Sequence, residues 1–218
     1  MTGPVKPKER GPIVWYAVLA LVVIAGVVAV VATRGSDDAK PVAGQTAAVT
    51  VAKDGADALP TFESAQDDPA VGTTIPTVSG TTLSGGKLTI GPDDGKAKVI
   101  IFAAHWCPHC QREIPLLAEH LKDSPMPDDV ELLTVSTGVE ASRGNYPPSA
   151  WLEDVGWTAP TLADSSKSLA ASTFGLSSYP YFVVVDAEGK VVFRITGEIS
   201  VDQFDQLVAA AQSGKSPI

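Results

Sequence analysis

The sequence predicts an α/β domain, a central mixed sheet flanked by helices, preceded by one N-terminal transmembrane helix. Three observations carry that expectation. Ile13–Ala32 (IVWYAVLALVVIAGVVAVVA) is a twenty-residue run without a charge. After Pro76, short apolar runs alternate with segments of helical periodicity. The last of these runs form a pair joined by a tight turn, followed by a terminal helix.

As a helix, Ile13–Ala32 spans about 30 Å, the thickness of a bilayer's hydrocarbon core. Lys6, Lys8 and Arg10 precede it against Glu9 alone, whereas Asp37 and Asp38 follow it. The positive-inside rule therefore places residues 1–12 in the cytoplasm and exports everything after the span. Trp15 and Tyr16 fall at the cytoplasmic end, where amphipathic rings favour the interface. Small Val30 and Ala32 before Thr33 allow the alternative of a cleaved signal peptide. The run is longer than the ~7–15 apolar residues of a signal peptide, so an uncleaved anchor is expected. Both alternatives export the domain. The expected location is the plasma membrane, single-pass, with the C-terminal domain extracytoplasmic.

Of 218 residues, 19% are charged, and the formal net charge is −9. Three basic residues and one acidic precede the span; thirteen basic and twenty-four acidic follow it. An acidic exported part argues against nucleic acid as a partner, because phosphate binding needs clustered Lys and Arg. Two cysteines exclude a disulfide-rich scaffold.

Residues 33–75 are rich in Ala, Gly, Asp, Thr and Pro without an apolar period, which reads as a flexible linker ahead of a domain at 76–218. Lys98–Ala103 is a continuous apolar run after the turn Gly91-Pro92-Asp93-Asp94-Gly95, and reads as a buried central strand. A helix follows, with Cys107, Cys110, Ile114, Leu117 and Leu121 on one face and Gln111, Arg112, Glu113 and Glu119 elsewhere. Pro115 should kink it. Val130–Ser136 reads as a second buried strand, Ser149–Asp154 as a short helix and Ser166–Phe174 as another. Tyr181–Val185 and Val191–Ile195 form an antiparallel hairpin around Asp186-Ala187-Glu188-Gly189-Lys190. A final helix from Val201 carries an apolar stripe of Phe204, Leu207, Val208 and Ala211.

The chemistry lies in Trp106-Cys107-Pro108-His109-Cys110. A cysteine at a helix start meets unsatisfied N–H groups and the positive end of the macrodipole, which favour a thiolate at Cys107. Such a position is expected to be exposed. Cys110, one turn later, can attack a mixed disulfide formed at Cys107 and release the partner. Cys107 is thus the expected nucleophile and Cys110 the resolving thiol. Zinc binding lacks support: there is no second cysteine pair, and His105, His109 and His120 have no familiar ligand spacing. His105 and His120 read as ordinary polar positions, and Trp151 and Trp157 as packing residues.

Trp106-Cys-x-x-Cys at a strand-to-helix junction resembles the thioredoxin superfamily over roughly Pro76 to Ser213. Pro115 falls where those proteins carry their helix-kinking proline. Tyr179-Pro180 opens a strand where they carry a cis-proline facing the dithiol, so the resemblance implies a cis bond that sequence alone does not. The hairpin, Gly197 and the terminal helix look like the membrane-anchored TlpA/ResA group. Pro108-His109 is instead the pair of DsbA-type oxidases. A partly positive His109 beside the sulfur would make the disulfide more oxidising.

The resemblance implies a thiol–disulfide oxidoreductase with no cofactor beyond a redox-active Cys107–Cys110 disulfide. Its implied partners are cysteine-containing exported proteins and a membrane redox protein that recycles it. Cys107, Cys110, Pro108 and His109 are the expected catalytic set, and Trp106, Tyr179 and Pro180 the substrate-binding one, with Tyr179's backbone open to strand addition. Disulfide donation is the expected direction. A TlpA/ResA-like reductase, for example in cytochrome c maturation, is the alternative, and a redox-inactive binding module is the non-enzyme one. Ile101 stands where many relatives hold a buried carboxylate; either another acid, with Glu113 the candidate, replaces it through water, or none does.

Overall fold

The computed structural model describes residue 3 and residues 45–53, 56–92 and 94–218. The apolar run Ile13–Ala32 lies outside these residues. Among the described residues no helix is long and apolar enough to cross a membrane.

The order of elements is β1 (Thr50–Val51), β2 (Val78–Thr81), β3 (Lys87–Ile90), β4 (Ala97–Ala103), α1 (Pro108–Asp123), β5 (Val130–Ser136), α2 (Pro148–Asp154), β6 (Thr161–Ala163), α3 (Leu169–Thr173), β7 (Tyr181–Val185), β8 (Val191–Thr196) and α4 (Val201–Ser213). Five strands form the central sheet in the order β6-β5-β4-β7-β8. β4 pairs parallel with β5 and antiparallel with β7, so the sheet is mixed as expected.

All seven residues of β4 are buried, which is why its sequence is apolar without alternation. Ala97, Val99, Ile101 and Ala103 pack on the face that carries Ile114 and Leu117 of α1 and Phe204 and Leu207 of α4. Ile100 and Phe102 pack on the other face with Phe174 and Tyr181. Lys98 is the charged exception: its buried ammonium pairs with Asp94 and donates to the Lys96 carbonyl at 2.8 Å. α4 begins with a capping box in which Gln203 N donates to Ser200 Oγ at 3.2 Å and Ser200 N to Gln203 Oε1 at 2.9 Å.

The expected linker over 33–75 is corrected from residue 45 onward. Thr50 and Val51 pair with Ser79 and Val78, and β1, β2 and β3 form a small antiparallel sheet. Leu59, Phe62, Ala70 and Ile75 are buried in the core beside Phe102 and Tyr181. Each large apolar side chain so buried contributes about 1.5–3 kcal/mol. Isolated anchors on irregular chain leave no period to read. Buried Asp68 pairs with fully buried Arg194 of β8, whose Nη1 also donates to the Pro60 carbonyl at 2.8 Å. Gly175 has φ +75°, and a Cβ there would lie 2.2 Å from Pro60 O, so glycine lets this segment approach.

The helix expected at Ser166–Phe174 is shorter, Leu169–Thr173. Buried Asp164 accepts the N–H groups of Ser165, Ala170 and Ala171 at 2.7, 2.8 and 3.1 Å, which holds the preceding chain in a non-helical turn.

Candidate active site

Cys107 occupies the N-cap of α1 with extended backbone (φ −72°, ψ 122°), and Pro108 follows in the first turn. The Cys107 carbonyl accepts Gln111 N–H at 3.0 Å, closing the first turn. Cys110 therefore lies one turn on, facing the core, and is fully buried. Both cysteines are free thiols. Cys107 is 5% exposed, which corrects the expected open position. Its Sγ lies 3.8 Å from the Tyr179 carbonyl oxygen, within range of an S–H donor. Tyr179-Pro180 is a cis peptide, as the resemblance implied; Tyr146-Pro147 is a second.

Trp106 and Tyr179 wall the cysteines, their rings edge to face with centroids 5.8 Å apart. Trp106 Nε1 donates to the Gly138 carbonyl at 2.7 Å, and the Arg143 guanidinium lies 4.4 Å above the indole. Gly138 has φ +60°, and a Cβ there would sit 2.7 Å from the Tyr179 hydroxyl. Its carbonyl and its lack of a side chain thus both serve this wall.

His105 is not an ordinary polar position: it is 1% exposed. Its Nε2 accepts Glu140 N–H at 3.2 Å, and its Nδ1 lies 2.7 Å from the Gly144 carbonyl. A backbone N–H donates and a carbonyl accepts, so the ring carries its proton on Nδ1. His105 thereby braces the Glu140–Gly144 segment against the strand end that bears the cysteines. His120 pairs at the surface with Asp205 at 2.8 Å. Trp151 and Trp157 are packing residues as expected, with Trp157 Nε1 donating to Thr134 Oγ1 at 3.0 Å.

Burial raises the Cys110 thiol strongly, and the neighbouring Cys107 and Glu113 add to the rise. Glu113, expected on the polar face, is 2% exposed. Its Oε1 accepts Ile199 N–H at 2.8 Å and its Oε2 has no partner among the described residues. Burial pushes the carboxyl up to about 7, the Ile199 bond opposes the rise and the Glu198 charge adds to it. A group in that range can hold or take a proton near neutral pH.

Glu198, in the loop between β8 and α4, was not foreseen. It meets Arg112, whose Nε lies 3.1 Å from both carboxylate oxygens, and His109. These bonds hold its carboxyl down at about 2, Arg112 contributing first and His109 second. Arg112 Nη2 also lies 2.9 Å from His109 Nδ1. With a proton on Nδ1 the imidazole donates to Glu198; without it, Nδ1 accepts from Arg112. His109 and Glu198 are 89 residues apart, and no local signal joins them. Among the described residues no group of His, Cys, Asp and Glu could hold a metal ion.

A mixed sheet whose central strand runs into a Cys-x-x-Cys helix, opposite a cis-proline, defines a thioredoxin-like thiol–disulfide oxidoreductase. The chain belongs to the AhpC/TSA family, whose model matches residues 71–194. It is 25% identical over 135 residues to the thiol-disulfide oxidoreductase ResA of Bacillus thuringiensis (strain Al Hakam), covering 62% of this chain and 75% of that one. A thiol:disulfide interchange protein of the thioredoxin family from Chlorobium tepidum TLS is similar in structure, with TM-score 0.53 and 25% identity over 64% of this chain and 95% of that one. So is a secreted Mycobacterium tuberculosis disulfide oxidoreductase homologous to E. coli DsbE, with TM-score 0.51 and 25% identity over 61% and 94%.

Proposed function

We propose that the chain is a membrane-anchored, extracytoplasmic oxidoreductase that donates its Cys107–Cys110 disulfide to cysteine-containing exported proteins. The uncharged run Ile13–Ala32 with its basic N-terminal flank supports the anchor and the orientation. A membrane redox partner then restores the disulfide, because the chain has no third cysteine to relay electrons.

The observation that carries the exchange reading is the difference between the two sulfurs. Cys107 caps α1 beside the Tyr179 carbonyl, whereas Cys110 is fully buried and held protonated. A substrate thiolate attacks Cys107 Sγ; the Cys107–Cys110 bond breaks and Cys110 leaves with the electron pair and takes a proton. A second substrate thiolate then attacks the substrate sulfur of the mixed disulfide, and Cys107 leaves as the thiolate. The substrate loses two electrons to the pair, and of its two thiol protons one is balanced by the proton on Cys110 and the other is left in the solvent, with Cys107 a thiolate. Glu113 is the proton carrier for Cys110, and Trp106, Tyr179 and cis-Pro180 seat the substrate chain.

The Pro108-His109 pair supports donation as the direction. The reductase reading is favoured by one observation: Glu198 sets an anion against the imidazole that donation needs positive. Cys110→Ala tests the exchange itself. In it the Cys107 thiolate can only attack the disulfides of exported proteins, the exchange run in reverse, and with no Cys110 thiol to attack back it should accumulate a mixed disulfide separable under non-reducing conditions; a variant that accumulates none overturns the proposal.

A further inference from the structure

The chain Gly197-Glu198-Ile199 grips the first turns of α1 at three positions of one helical face. The Glu198 carboxylate takes His109 and Arg112, and the Ile199 N–H takes Glu113 at 2.8 Å. Residues 109, 112 and 113 are spaced i, i+3 and i+4, so one short loop can reach all of them. Of the three, His109 stands between the two cysteines in the sequence and Arg112 carries a permanent positive charge. The Arg112 guanidinium is raised chiefly by its bond to Glu198 and least by the charge of Cys107, and the Glu198 charge in turn raises Glu113.

We propose that Glu198 is a positioning residue that sets the reduction potential of the Cys107–Cys110 pair by neutralising Arg112 and engaging the His109 imidazole. The inference rests on the exchange reading above. In the couple, the disulfide and two glutathione thiols become the Cys107/Cys110 dithiol and one glutathione disulfide. Only the reduced side carries a sulfur that can bear negative charge. A carboxylate beside it disfavours that side directly, and again by cancelling the cation that would favour it. Removing the Glu198 charge therefore favours the dithiol and makes the disulfide a stronger oxidant; removing Arg112 does the reverse. The cluster is open to solvent, with 56%, 57% and 36% of the His109, Arg112 and Glu198 side chains exposed, so the effect is moderate and screened by salt.

The test compares wild-type protein, Glu198→Gln and Arg112→Gln in glutathione redox buffers, with thermal unfolding of each to establish that it folds. Glu198→Gln should shift the equilibrium toward the dithiol by roughly three- to tenfold, tenfold corresponding to about 30 mV for a two-electron couple. Arg112→Gln should shift it the other way, and 1 M salt should shrink both differences. A merely structural loop contact would move neither equilibrium in opposite senses nor with salt. Folded Glu198→Gln within 1.5-fold of wild type overturns the inference and leaves the exchange reading standing. A wild-type protein that forms no Cys107–Cys110 disulfide in any of the buffers overturns both.

Discussion

The buried carboxylate of Glu113 accepts the Ile199 backbone N–H at 2.8 Å through Oε1 and leaves Oε2 unpaired. One oxygen is thus tied to the loop before α4 while the other is free to take a proton. Cys110, on the same helix and raised by burial, takes a proton from such a group when it leaves the disulfide. Glu113→Gln should slow formation of the mixed disulfide about 10²-fold, the low end for loss of a positioned acid or base. Rapid-mixing kinetics of mixed-disulfide formation, taken per substrate thiolate, checks this, and the wild-type rate should fall as pH rises through about 7, a transition that the variant lacks.

The same carboxyl makes stability depend on pH. The folded chain holds the Glu113 proton up to about pH 7, whereas an unfolded chain releases it near 4.5. More protons are bound folded than unfolded in that window, so stability falls as pH rises through it. The contribution is complete below pH 4.5 and lost by about pH 7. Urea midpoints at pH 4.5 and 7.5 should differ less in Glu113→Gln than in wild type.

Asp68 and Arg194 join the segment before β2 to the last strand across a fully buried ion pair. Removing one partner strands the other, so Asp68→Ala should cost about 3–5 kcal/mol in denaturant unfolding. A chain starting at residue 76 should lose Tm relative to one starting at residue 45. The expected tether would have made the two equal.

His105 holds Glu140 N–H at 3.2 Å and Gly144 O at 2.7 Å. His105→Ala removes both bonds, each contributing about 0.5–1.5 kcal/mol. Hydrogen exchange at the Glu140 amide should quicken on the order of tenfold, and KM for protein substrates should rise because Arg143 and Trp106 lose their brace.

Four strands of the central sheet, β4, β5, β7 and β8, were legible because they are largely buried and read as mostly apolar runs, whereas the three residues of β6 are too few to show a pattern. Val130–Ser136 and Tyr181–Val185 match the observed strands residue for residue. The small sheet was not: β2 and β3 are short, partly exposed and rich in Gly and Thr. Leu59 and Phe62 anchor irregular chain, and a single anchor has no period. At the site, the two cysteines, Trp106 and the cis-proline followed from local sequence and resemblance. Glu198, Gly138 and Arg143 did not, because each meets the residues beside the cysteines, Glu198 at His109 and Arg112 and the other two at Trp106, through tertiary contact alone. His105 was misread because its partners are backbone groups some 35 to 39 residues away.

Donation of the Cys107–Cys110 disulfide is tested most directly by the reduction potential of that pair, measured by equilibration with glutathione. Donation predicts a value above about −180 mV, toward the DsbA end of the range. A value near −270 mV, that of thioredoxin, would contradict it and assign the chain to reduction.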